Sequence, residues 1–375
     1  MMKLFIIYLV VSSFLLTVPL MEDSTNYVEI ADRYYMQKDY ENAVLYYNAA
    51  INQNPNNANA YDGIAIIFLE QGFYENATEF FEKSLLLDDS VGSTWFYNGK
   101  CLKEIGDYDG AFKCFDHATG DYYEIVSSWN ELGYLYFDEG DYEKALKCFE
   151  KALTLNKNFE YAWNGKGLCY EKKGKNDLAF KCFEKATFIN PEYFDAWYNM
   201  GILSYIDQNY VFSLHCFEKA ITIDDNNSKN YFYAAESLTS LGKYREAVFY
   251  FEKAVELEPN NSTFWNSKGY THASLKEYST AKLCYEKSVG ISPKDDISWS
   301  NLGYMNNNLE QCEEAVECFK KSLELNVNNK NAWNGLGNSY ALLNNSEKAL
   351  KCYDNAIKLD SLYEEPKKSK MILLD

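Results

Sequence analysis

Trp129-Asn-Glu-Leu-Gly-Tyr-Leu-Tyr136, followed by Ala145-Leu-Lys-Cys-Phe-Glu-Lys-Ala152, is the stretch that decides the fold. In its first half the large apolar and small residues fall at i, i+3, i+4 and i+7, which is one face of a helix, and the second half repeats the device. Gly140-Asp141 between them reads as a helix end followed by a restart. Outward from here the pattern recurs every 34 residues. All seven tryptophans share the grid, at Trp95, Trp129, Trp163, Trp197, Trp265, Trp299 and Trp333, and Tyr27, Tyr61 and Tyr231 fill the remaining nodes. Four residues after each node stands Gly or Ala, and the second stripe runs small, aromatic, small, as in Ala145, Phe149 and Ala152 or Ala179, Phe183 and Ala186.

The physical content of this pattern is two antiparallel helices per unit, with the large ring of one entering the space that small residues leave on the other. Neither helix can bury its face alone, so neighbouring units must stack. The spacing predicts ten such units over residues 24–363 without an insertion, and makes the Trp sites core positions. Three departures bear on regularity. Gly120 in Ala118-Thr-Gly-Asp-Tyr-Tyr123 predicts a shortened second helix and a bend. The sixth unit has Ser213 at an Ala site and Gln208-Asn209 where others place Gly, and the ninth has Cys312 where most units have Tyr.

The Trp-x-x-Leu-Gly-x-x-Tyr and Ala-x-x-x-Phe-x-x-Ala pattern resembles the tetratricopeptide repeat (TPR) family. The resemblance implies an all-α fold, a right-handed α-α superhelix or solenoid of about ten helix-turn-helix units, with a concave groove for partner peptides. It leaves the partner open.

Composition narrows the function class. The net charge is −19, and only Arg33 and Arg245 supply guanidinium among 36 basic residues, so nucleic acid is not an expected partner. Seven of the ten cysteines (Cys114, Cys148, Cys182, Cys216, Cys284, Cys318 and Cys352) occupy one repeat site and read as small buried hydrophobes. Cys101 with Cys114 and Cys169 with Cys182 share a unit and are the pairs to check for a disulfide. His117, His215 and His272 fall at three different repeat positions and form no ligand set or triad, so neither a catalytic site, a metal nor a cofactor is expected.

Function must then sit in sites that vary between units. The stripe starting one residue after each Trp node and continuing at i+4 and i+7 flanks the core face, and by family analogy forms the concave wall. It is rich in Tyr and Asn, and only Lys100 and Lys103 are basic. The partner-binding residues expected from it are Asn130, Tyr134, Asn164, Tyr198, Asn266, Tyr270, Tyr304, Asn334 and Asn338, amides for a peptide backbone and rings for rigid contact. The alternative for these side chains is packing between neighbouring first helices.

At the N-terminus, residues 1–20 contain the apolar run Leu4 to Leu20, which reads as a membrane anchor or a signal-like segment placing the repeats outside; a start at Met21 would leave a cytoplasmic protein. Residues 364–375 read as a short cap. The expected role is a scaffold holding a partner protein or peptide, not an enzyme; the alternative is an envelope-associated structural protein acting by self-association.

Overall fold

A computed structural model describes residues 26–118 and 122–374; the apolar run 4–20 and Gly120 lie outside them. Among the described residues there are 21 α-helices and no strand. The first of two compact units ends at Pro191 and holds five pairs: α1 (Tyr27–Met36) with α2 (Tyr40–Gln53), α3 (Ala58–Glu70) with α4 (Tyr74–Leu87), α5 (Gly92–Glu104) with α6 (Tyr108–His117), α7 (Tyr122–Asp138) with α8 (Tyr142–Leu155), and α9 (Glu160–Lys172) with α10 (Asn176–Ile189). The second, from Glu192, holds α11 (Phe194–Ile206) with α12 (Tyr210–Ile223), α13 (Ser228–Ser240) with α14 (Tyr244–Leu257), α15 (Ser262–Ser274) with α16 (Tyr278–Ile291), α17 (Asp296–Asn308) with α18 (Cys312–Leu325), and α19 (Lys330–Leu342) with α20 (Ser346–Leu359), then α21 (Glu364–Leu374). Within each unit a pair packs internally, its second helix packs on the next first helix, and successive first helices touch.

The helix ends follow from local chemistry. Asp39, Asp107, Asp141, Asn209 and Asn345 precede second helices, and each accepts a hydrogen bond from the backbone N–H three residues on. In all ten pairs the turn between helices passes through one left-handed residue, eleven positions after the Trp node. Five are glycines, among them Gly140 at φ 83°, and five are not: Lys38, Gln208, Lys276, Glu310 and Asn344, at φ 57° to 63°. The helix before Gly120 is short, as the sequence predicts: α6 has 10 residues where the other second helices have 14.

Interior packing turns on one ring per pair. Phe149 is fully buried between two backbones: a Cβ built on Gly133 of its own pair would lie 2.6 Å from the ring, and one on Gly165 of the next pair 2.3 Å from it. Gly63 and Gly335 stand toward Tyr47 and Phe319 as Gly165 does toward Phe149. Where a tyrosine takes that glycine's place the ring is stacked instead, Tyr97 on Phe81 at 6.4 Å and Tyr233 on Phe217 at 5.3 Å. Closing serines satisfy themselves on their own pair: Ser84, Ser288 and Ser322 donate to the carbonyls of Ala58, Ser262 and Asp296.

The tryptophans differ from the core expectation. Only Trp129 is buried; the others are half-buried. The reason is the indole N–H. In Trp95, Trp163, Trp265, Trp299 and Trp333 it donates to the carbonyl six residues upstream at 2.8–3.0 Å, which holds the ring at the edge of the core over the preceding loop.

Asn230 is the opposite case. It is fully buried at a site where four other pairs have Ala60, Ala162, Ala196 or Ala332, and neither of its side-chain polar atoms finds a partner in the protein. An unsatisfied buried amide costs about 1–3 kcal/mol, so Asn230→Ala is expected to raise stability by about 1 kcal/mol in urea unfolding; a loss of that size would show that the amide is bonded in solution.

At the chain's end α21 seats only Pro366. Met371, Ile372 and Leu374 remain mostly exposed rather than covering the last pair.

Candidate functional site

The Tyr/Asn stripe lies on the first helices, and the structure divides its nine candidates by what they touch. In the first unit, Tyr134 on α7 donates its hydroxyl to the Tyr161 carbonyl (3.2 Å) and accepts from Asn164 Nδ2 on α9 (3.2 Å), while its ring meets Phe149 edge-on. Asn164 is buried. Asn130 is half-buried, and its side-chain oxygen is shielded without a hydrogen bond.

In the second unit, Tyr198 packs among Phe194, Phe217 and Tyr233. Asn266 Nδ2 donates to Ser298 Oγ on α17, and its oxygen accepts from Asn301 Nδ2 at 3.4 Å. Tyr304 donates to the Asn331 carbonyl (2.7 Å), Asn334 donates to the Tyr363 hydroxyl (3.3 Å), and Asn338 accepts from the Tyr353 hydroxyl (2.9 Å). Tyr270 is the open one, 54% exposed. Burial raises the phenol pKa of Tyr198 and Tyr304 above the ordinary value, so both stay neutral donors. The packing alternative is thus realised at Asn164, Asn266, Tyr304 and Asn334, which tie neighbouring elements together, whereas Asn130 makes no side-chain hydrogen bond and Tyr270 is exposed.

Two recesses adjoin the stripe that the sequence reading did not single out. One, about 430 Å³, is lined by Lys103, Glu104, Tyr108, Glu131, Tyr134, Leu135 and Asp138. Lys103 there is bridged to Glu131 and Glu104; burial would lower its pKa, and the two carboxylates outweigh burial and raise it. The other, about 390 Å³, lies between α17 and the α18–α19 junction and is walled by asparagines. Its signal was visible as Asn326-Val-Asn-Asn-Lys-Asn331, which reads as a loop until the fold sets it against α17.

All ten cysteines are free and buried, including Cys101 with Cys114 and Cys169 with Cys182. His117 stacks on Trp95, His215 lies edge-on to Trp197, and buried His272 bonds Glu277 at 2.7 Å. Among the described residues no group of three or more His, Cys, Asp or Glu gathers to hold a metal ion, and no helix is long and apolar enough to cross a membrane.

Family models described as tetratricopeptide repeat match residues 28–90, 126–159, 160–193, 228–261, 250–282, 297–329 and 331–361, together well over half of the chain. A Sel1 repeat model matches 193–225, the unit with Ser213 and Gln208-Asn209. No curated protein matches. Among solved structures, the C-terminal part of a TPR repeat-containing protein from Cytophaga hutchinsonii is 18% identical over 64% of this chain and 98% of its own, with a TM-score of 0.53. YrrB, described as a TPR protein with an unusual peptide-binding site, is 24% identical over 50% of this chain and 97% of its own (TM-score 0.45). The Cut9-Hcn1 hetero-tetramer of APC/C is 13% identical over 95% and 97% (TM-score 0.49).

Proposed function

Because this chain belongs to the tetratricopeptide repeat family, a scaffold for protein–protein interaction, we propose that within each unit the first-helix face takes an extended peptide segment of a partner protein. The observation that carries this is the split within the stripe. Asn130 holds an amide with no partner and Tyr270 an open ring, whereas at the same repeat sites Asn164 and Asn266, and Tyr134 and Tyr304, are bonded to neighbouring elements. A half-buried unsatisfied amide is suited to a peptide group, which offers a donor and an acceptor at each residue. Glu104, Glu131 and Asp138 around the bridged Lys103 make the first unit's recess acidic, a poor seat for a terminal carboxylate.

Peptides selected by display against the full chain provide the test. Asn130→Ala and Tyr270→Ala are each expected to weaken binding by about 5- to 30-fold, which is about 1–2 kcal/mol, with no change in thermal unfolding. Unchanged affinity in both would remove the reading. Light scattering that shows concentration-dependent assembly without peptide would instead favour self-association, for which the exposed Met371, Ile372 and Leu374 of α21 are the motivating feature. In the same reading residues 4–20 tether the repeats at a membrane; the mass of the native N-terminus tests this, since cleavage or a start at Met21 removes the tether.

A further inference from the structure

The recess between α17 and the α18–α19 junction shares only Tyr304 with the nine stripe candidates, and its one cation is already paired. Asp296 Oδ2 accepts from Asn326 Nδ2 (3.1 Å) and Asn329 Nδ2 (2.8 Å), and Lys330 Nζ meets Asp360 Oδ2 (2.6 Å). Apart from the Asp296 carboxylate, which accepts only from uncharged amides, what remains unspent is neutral. The side-chain amides of Asn328 and Asn331 make no hydrogen bond within the protein, and Asn301 Nδ2 reaches its acceptor only at 3.4 Å. Ser300, 3% exposed, carries a hydroxyl without a partner in the same wall, and exposed Ile297 gives the mouth one apolar lip.

We propose that this recess binds a polar stretch of extended peptide that carries no acidic side chain. A side-chain amide has a carbonyl and an NH2 group, so Asn301, Asn328 and Asn331 can complement a backbone N–H and C=O whichever way the strand runs. An acidic side chain would lose water on entry, find Lys330 already paired with Asp360 and face the uncompensated charge of Asp296. The volume, about 390 Å³, lies at the small end of ligand pockets, roughly 300–1,000 Å³, and so admits a short segment with an aliphatic neighbour against Ile297. This specificity rests on the peptide-groove reading above, since it supposes that the partner's chain passes along the first helices of this unit.

The test uses the full chain, labelled with ¹⁵N at asparagine side chains, and three pools of capped pentapeptides. One pool contains Asn, Gln, Ser, Thr, Gly and Val; the second adds two Glu to each peptide and the third two Lys. The side-chain signals of Asn301, Asn328 and Asn331 are assigned by single replacement. The neutral pool is expected to shift them at least about fivefold more effectively than the Glu pool, the Lys pool at least as effectively as the neutral one, and Asn328→Ala with Asn331→Ala to weaken that binding about fivefold or more while leaving the circular dichroism unchanged. Equal or better binding of the Glu pool, silence of these three signals in the neutral pool, or shifts produced by chitotriose but not by peptides would each overturn the proposal. Loss of the Asn130 and Tyr270 effects with these shifts intact would sink the groove reading alone. The converse would sink this one alone.

Discussion

Phe149→Ala is expected to cost about 4 kcal/mol in chemical unfolding, near the upper range for a single core truncation. The ring is fully buried, and it serves two interfaces at once, Gly133 within its own pair and Gly165 at the start of the next. Its removal leaves a cavity lined by the backbones of α7 and α9, which cannot close without sliding one helix pair on another. Gly165→Ala attacks the same contact from the other side. A methyl 2.3 Å from the ring forces a shift costing about 1–3 kcal/mol, partly offset by the helix propensity that alanine gains over glycine. The two changes are coupled: in the double variant the new methyl enters the space the ring has left, so the combined loss should fall short of the sum by about 1 kcal/mol or more. Strict additivity would mean that the ring does not span the pair junction in solution.

Raising the pH is the second large perturbation. Burial pushes the thiols of Cys101, Cys148, Cys169 and Cys216 from 9.0 up to about 12, and those of Cys114, Cys182, Cys284, Cys318 and Cys352 up to about 11. A thiol whose folded pKa is raised contributes its full share to stability below the unfolded value. It loses that share as pH climbs from there to the folded value, because only the unfolded chain releases the proton. The window is therefore pH 9 to 11–12. Each thiol removes about 1.4 kcal/mol per pH unit inside it, so nine together remove on the order of 10 kcal/mol by about pH 10, comparable to the whole stability of a typical domain. Helicity should accordingly collapse near pH 10, and Cys148→Ala with Cys216→Ala should move the midpoint upward. A chain that keeps its helicity at pH 11, or thiols that react with a disulfide reagent at pH 8 as fast as free cysteine, would contradict this.

Most of the fold was legible because its determinants lie within one 34-residue unit. The Trp node, the small residue four places on and the second stripe each encode contacts inside a pair, and the ten pairs found over residues 27–359 follow them. Contacts between pairs were legible only in part. Gly63, Gly165 and Gly335 answer to a ring in the preceding pair, so a pattern read inside one unit has no reason to expect them. The same limit governs the stripe. Whether Asn164 meets solvent or the Tyr134 hydroxyl depends on how far apart α7 and α9 sit, a distance no spacing rule specifies. The tryptophans are core positions by their place at the head of each apolar stripe, and it is the hydrogen bond of the indole that moves five of them to its edge.

The left-handed turn residue has a consequence for how the chain breathes. Glycine takes that conformation freely, whereas a residue with a side chain gives up about 1–2 kcal/mol to hold it. Lys38, Gln208, Lys276, Glu310 and Asn344 therefore mark five hairpins that begin with a handicap, four of them in the unit after Glu192. In a stack whose cohesion passes only between neighbours, opening begins at the weakest links and spreads outward. Asn328 and Asn331 lie between the ninth and tenth of these turns, at Glu310 and Asn344, so the two free side-chain amides of the recess sit in a segment that is among the least costly to loosen.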